Sequence, residues 1–176
     1  NTTAAPIANY FAEYQNRIWA GGTASFTFYS NVGTPTDWTN DSSSITIPGA
    51  GRLNGVFKSA DRLVNSKNSG IMFRWDGDVL KNFDTKVGPS YHYSIGEVEG
   101  YRFWLNRSGI YGFSGGIPEL FSAPVEKQIY NDAGGGIAGG TFDLAPGMAF
   151  RNHYHVAVGT VKDDLTNQPI SNCILN

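Results

Sequence analysis

The chain has 176 residues, and a domain near this size buries about 70% of the surface its unfolded form exposes, so one real core is within reach. Charged residues make up 16% and aromatics 14%, with 22 Gly and 8 Pro, a profile of strands and turns rather than helices. Thirteen Lys and Arg against 15 Asp and Glu give a net charge of −2, which leaves no basic excess for nucleic acid, and the single Cys173 cannot form an internal disulfide. No run of about 18 apolar residues marks a membrane span, and neither nucleic acid nor membrane is expected as a partner. The chain starts at Asn1 rather than Met, as a processed product or a piece of a longer polypeptide would.

In chain order, the stretch Ala4 to Arg17 lacks three-four spacing and alternates Tyr10, Ala12 and Tyr14 with Phe11, Glu13 and Gln15. It reads as a strand. Short apolar runs then recur between turn residues: Ile18-Trp19-Ala20 before Gly21-Gly22, and Ser25 to Tyr29 before Asn31-Val32-Gly33-Thr34-Pro35. Four units share one shape, a polar residue, an apolar strand, a tight turn and an aromatic-rich strand. They are Arg17 to Ala20 with Phe26 to Tyr29, Arg62 to Asn65 with Gly70 to Trp75, Arg102 to Leu105 with Gly109 to Phe113, and Tyr154 to Val158 with Ile170 to Leu175. Arg17, Arg62, Arg102 and His153 head them at intervals of 45, 40 and 51 positions, close to the roughly 40 to 50 residues of a propeller blade.

The expected fold is therefore all-β, one domain over 1–176 built from β-propeller-like blades at about 9–50, 51–90, 91–132 and 141–176; a β-sandwich is the alternative. Each small twisted sheet needs a neighbour on its faces, so Phe103 and Leu105 should pack one way and Trp104 the other. About three to four blades fall short of most closed propellers, which use about four to eight. An open arc or a fragment would leave edges and apolar faces for assembly.

The run Tyr14-Gln15-Asn16-Arg17-Ile18-Trp19-Ala20-Gly21, then Phe28-Tyr29-Ser30, then Val32-Gly33-Thr34-Pro35-Thr36-Asp37-Trp38-Thr39, resembles a pattern of bacteriophage tail and neck proteins, as does Asn152 to Gly159. The resemblance spans most of the chain and is strongest over 10–113. It implies a virion structural component with blade-like domains, made in the bacterial host cytoplasm and located in the phage tail. Its partners would be other virion proteins or copies of itself. Such proteins are commonly several times longer than this chain.

Chemistry candidates are few. His153 and His155 at i and i+2 share a strand face, as a two-His metal edge requires, with His92 or Cys173 as distant third ligands; ordinary rim histidines are the favoured reading. Asp76-Gly77-Asp78 offers carboxylates for Ca²⁺ but reads first as a hairpin turn. Glu97 and Glu99 alternate along one strand, a spacing that permits glycoside chemistry, although a solvated edge explains them equally. Asn40 and Asn106 head chance glycosylation patterns. Glycines 134–136, 139 and 140 mark the segment expected to contact partners.

No catalytic, cofactor or metal residue is therefore assigned, and the chain is expected to be non-enzymatic. Four tryptophans, Trp19, Trp38, Trp75 and Trp104, with 9 Tyr and 11 Phe, point instead to interfaces or sugar stacking. Trp38 is expected nearest the surface. The leading function is a tail or neck structural module working through protein–protein contacts; the alternative is a receptor-binding domain in which Trp38 or Trp104 stacks on a host-surface glycan.

Overall fold

Tyr14 and Arg17 face each other across a two-residue turn in which Gln15 and Asn16 both have positive φ, 51° and 57°. That is the backbone a tight hairpin demands when its strands twist to the right. It joins β1 (Tyr10–Tyr14) to β2 (Arg17–Gly21), and the chain then continues through β3 (Phe26–Tyr29) and β4 (Ser44–Thr46). Each strand pairs antiparallel with the next, giving a first sheet in the order β1-β2-β3-β4. The same device recurs at Glu99-Gly100 and Arg151-Asn152, where both residues again have positive φ.

The chain is known from a computed structural model that describes residues 5–22, 24–39, 44–77, 79–83, 86–123, 136–137, 145–162 and 169–175. The second sheet repeats the sequential order with β5 (Leu53–Ser59), β6 (Arg62–Lys67), β7 (Met72–Trp75) and β8 (Leu80–Asn82). The third does so with β9 (Gly96–Val98), β10 (Tyr101–Asn106), β11 (Gly109–Phe113) and β12 (Glu119–Leu120). The fourth departs from it. Its ten-residue β15 (His153–Lys162) pairs with β14 (Gly147–Phe150) over one half and β13 (Gly136–Ile137) over the other, and also with β16 (Pro169–Leu175).

The protein is thus all-β, with four small antiparallel sheets that follow one another along the chain. All four strand pairs anticipated from the repeated units are present: β2 with β3, β6 with β7, β10 with β11, and β15 with β16.

Two compact units divide the chain, Asn1–Gly88 and Pro89–Asn176. In the first unit, one face of the first sheet packs on the second sheet through Tyr14, Trp19, Val56 and Leu63, bordered by Tyr10, Ala12, Tyr29, Ile45 and Trp75. Alternation puts Tyr10, Ala12 and Tyr14 on that face because successive strand residues point to opposite sides. Trp19 sits at its centre, 4.8 Å from the Tyr29 ring and 6.3 Å from the Trp75 ring, and its indole N–H donates to the Tyr14 carbonyl at 3.0 Å. The large ring is therefore buried without leaving its one polar atom unpaired.

In the second unit the third and fourth sheets meet through Leu105, Val156 and Val158, with Ala145, Ile110 and Tyr154 alongside. Phe103 stacks on Tyr154 at 5.7 Å, and the Tyr154 hydroxyl donates to the Ser94 carbonyl. Gly147 is what admits this ring, since a Cβ there would lie 2.8 Å from the hydroxyl and 2.5 Å from the Ser94 carbonyl oxygen. The expected division of β10 holds: Leu105 faces the fourth sheet, whereas Trp104, fully buried, points to the opposite side.

Candidate functional site

The surfaces with most to offer a partner are the outer faces of the first and fourth sheets. On the fourth sheet Met148 lies opposite His155 and Phe150 opposite His153. Directly opposed residues share a face, and the rings agree: Phe150 is 6.4 Å from His155, and His153 is 6.2 Å from His155. Ile174 of β16, opposite Ala157, extends the face. Met148, Phe150 and Ile174 are 58%, 53% and 65% exposed, although the other face of this sheet carries the fully buried Val156 and Val158. At the edge, the Arg151 guanidinium lies over the Phe150 ring at 5.1 Å, and the Arg151 carbonyl is 2.8 Å from Nδ1 of His153.

The first sheet is built the same way. Phe11, Ala20, Phe28 and Ser44 form one row across it, and Glu13 lies opposite Ile18. Phe26 is two residues from Phe28, with the rings 6.4 Å apart. This face points away from the Trp19 core. Phe11 and Phe26 are exposed, and Ile18 and Phe28 are half-buried. In water such a face forfeits about 25 cal/mol for each Å² of apolar surface that a partner would cover.

The histidine pair shares a face as anticipated, and among the described residues no third His, Cys, Asp or Glu ligand joins it. His92 lies in a 3-10 turn (His92–Ser94), edge-on to Tyr93, where burial lowers its pKa and favours the neutral ring. The Cys173 backbone pairs with Gly159, and its side chain lies outside the described residues. No group of three or more metal-ligating side chains occurs among the described residues. Asp76 is ringed by cations, with Lys81 at 3.2 Å, Arg74 at 3.6 Å and Arg62 at 3.7 Å, surroundings that repel Ca²⁺. Asp76 and Gly77 form the β7–β8 turn, closed by the Asp76 N–H on the Val79 carbonyl at 3.2 Å, while Asp78 lies outside the described residues.

Glu97 and Glu99 do not form a pair along a strand. Glu97 is on β9 and bonds Arg102 at 2.6 Å; Glu99 occupies the following hairpin turn with φ of 49°. The turn interrupts the alternation that would have put both on one face. Asn40 lies outside the described residues, as do glycines 134, 135, 139 and 140. Asn106 is buried, its side-chain carbonyl accepting from the Ser108 N–H and hydroxyl.

Trp38 is buried, at 8% exposure, not the surface ring expected. Its neighbour Asp37 explains the difference. One carboxylate oxygen accepts from Nδ2 of Asn31 at 2.8 Å, and the other accepts from the Thr39 N–H and hydroxyl at 3.1 and 2.6 Å. These bonds hold the Asp37 carboxyl below its usual pKa of 3.8. They fold the 31–39 loop back on itself and turn Trp38 inward. Trp104 is fully buried as well, so neither ring named for glycan stacking presents a face to solvent.

Two polar devices escaped the sequence. Lys67 is fully buried, and its ammonium donates to the Gly49 carbonyl and the Ser25 hydroxyl. The Thr27 hydroxyl donates to Oδ1 of Asn65 at 2.6 Å, joining the first and second sheets through a buried bond. A Lys ending the run Arg62 to Lys67 reads as a surface residue unless its partners are known, and those lie in distant turns.

No protein-family model and no curated protein matches the sequence. Among solved structures, the chain is similar to a Bacteroides fragilis protein described as exported, with 13% identity and a TM-score of 0.41. The match covers 88% of this chain and 54% of that one, so the chain spans about half the length of its neighbour.

Proposed function

We propose that this chain is a non-enzymatic structural protein of a bacteriophage tail or neck, that its four sheets are propeller-type blades, and that it works through protein–protein interfaces. One observation carries the reading. The first and fourth sheets each bury one face and leave an apolar face in water, with Phe11 and Phe26 on one and Met148, Phe150 and Ile174 on the other. Apolar faces of this kind mark contact sites.

Other observations agree with it. Three of the four sheets run in strict sequential antiparallel order, as blades do. The Asn16-Arg17 hairpin and the Asp37-Trp38 loop, which bear the likeness to phage proteins, are fold-building devices made of backbone and short hydrogen bonds. The reading places the protein in the virion after synthesis in the host cytoplasm.

Electron microscopy of phage particles labelled with antibody against the chain tests it. Label at the tail or neck is expected. Unlabelled particles, with the chain recovered free of them, would overturn the reading.

A further inference from the structure

We propose that the outer face of the fourth sheet binds one copper(I) ion through the imidazoles of His153 and His155 and the thioether of Met148. Such a site stands whether or not the chain belongs to a virion. Register puts the three side chains on one face. His153 and His155 are two apart on β15 and point the same way. Their ring centroids are 6.2 Å apart, a separation that one ion bonded to a nitrogen of each ring at about 2 Å can bridge. Met148 lies directly opposite His155, where Cβ atoms stand about 4.5–5.5 Å apart and a flexible thioether reaches its neighbour. Met148 and His153 are exposed and His155 is half-buried, so an ion can enter from water.

The hydrogen on His153 is also placed for a metal. Its Nδ1 is 2.8 Å from the Arg151 carbonyl, and a carbonyl only accepts, so Nδ1 carries the hydrogen and Nε2 of the neutral ring keeps its lone pair. Ligating histidines are held in this way, one ring nitrogen donating to a backbone carbonyl while the other meets the metal. The hairpin turn supplies that carbonyl, with Arg151 and Asn152 both at positive φ, 47° and 61°.

Donor chemistry selects the ion. Imidazole, carboxylate and thiolate donors do not gather in threes among the described residues, so zinc lacks its usual set. The strands β13 to β16 carry no Asp or Glu, so calcium, magnesium and manganese find no carboxylate on them. A thioether is a different donor, soft and suited to copper(I), and imidazole suits copper as well. The Arg151 guanidinium over the Phe150 ring adds a positive charge at the rim, which repels a divalent ion about twice as strongly as a monovalent one.

The test titrates copper(I), kept reduced with ascorbate under argon, into the full chain in competition with a chromogenic copper(I) chelator. One bound ion per chain is expected. His153→Ala and His155→Ala should each weaken binding by about tenfold or more, and Met148→Leu, which keeps the apolar bulk, by about threefold. Circular dichroism should not change, and His153→Gln and His155→Gln replace the alanine variants should those misfold. X-ray absorption at the copper edge should show nitrogen and sulfur bound to the ion, with the sulfur gone in Met148→Leu. Cys173 is the rival soft donor, and Cys173→Ser should leave the affinity within about twofold. A wild type that takes up no copper(I), zinc bound more tightly than copper(I), loss of binding in Cys173→Ser, or a His153→Ala/His155→Ala double variant that binds like wild type would each overturn the site.

Discussion

At the scale of single residues, the backbone of the hairpin turns is where the chain departs furthest from ordinary preference. Ala60, in the two-residue turn between Ser59 and Arg62, has φ of 47°, a region that costs a residue with a Cβ roughly 1–2 kcal/mol. Ala60→Gly relieves that strain but loosens the unfolded chain by about 0.4–1 kcal/mol. The relief wins. We expect the variant to gain about 0.5 kcal/mol, measured by urea unfolding. Lys67 poses the opposite problem, since burial holds its amine below the usual 10.5. A base with a lowered folded pKa binds its proton less readily when folded, so its titration contributes stability fully above 10.5 and loses it as pH falls through the folded value. Lys67→Met should therefore flatten the rise in stability on the alkaline side. At neutral pH it should cost no more than about 1.5 kcal/mol, the net worth of a hydrogen bond, because the exposed Gly49 carbonyl and the half-buried Ser25 hydroxyl can turn to water once the ammonium is gone. Melting curves across pH 7 to about 11 check both signs.

At the scale of elements, period-two alternation made the hairpins legible. Tyr101 to Leu105 and Gly109 to Phe113 could be placed as paired strands because their apolar residues alternate and a turn separates them. Alternation shows which residues share a face, but not whether anything covers that face. Trp38 shows this limit: its burial depends on the Asp37 carboxylate bonding Asn31 and Thr39, a loop geometry that leaves no periodic trace. The carboxylates Glu97 and Glu99 were separated by a turn of two positive-φ residues that begins at Glu99 itself. The edge strands β4, β8 and β12, of two or three residues, are too short to carry a pattern at all. The bond between Thr27 and Asn65 was equally invisible, since it joins two sheets 38 residues apart. Thr27→Val should cost about 1–3 kcal/mol by leaving the buried Asn65 carbonyl without its donor. Adding Asn65→Leu should cost less than the sum of the single changes, because no polar group is then stranded. A double-mutant cycle in urea measures the difference, and strict additivity would remove the bond from any role in holding the sheets together.

At the scale of the whole molecule, the distribution of apolar residues separates those that hold the fold from those kept for a partner. Leu63 and Leu105 are fully buried, one in the core of each compact unit, and Phe11 and Phe150 are more than half exposed on the open faces. Truncating a buried Leu removes its transfer energy and leaves a cavity, so Leu63→Ala and Leu105→Ala should each cost about 2–5 kcal/mol. An exposed ring is already in water, and removing it takes away little that folding had gained. Phe11→Ser and Phe150→Ser should therefore shift unfolding by no more than about 0.5 kcal/mol when measured at a concentration too low for association. A protein that kept these rings only for its own stability would show the reverse, losing as much at Phe150 as at Leu105. If the open faces serve assembly, the four variants should part cleanly, the leucines lowering the unfolding midpoint at every concentration and the phenylalanines lowering it only where copies meet, since binding stabilises the folded form by mass action.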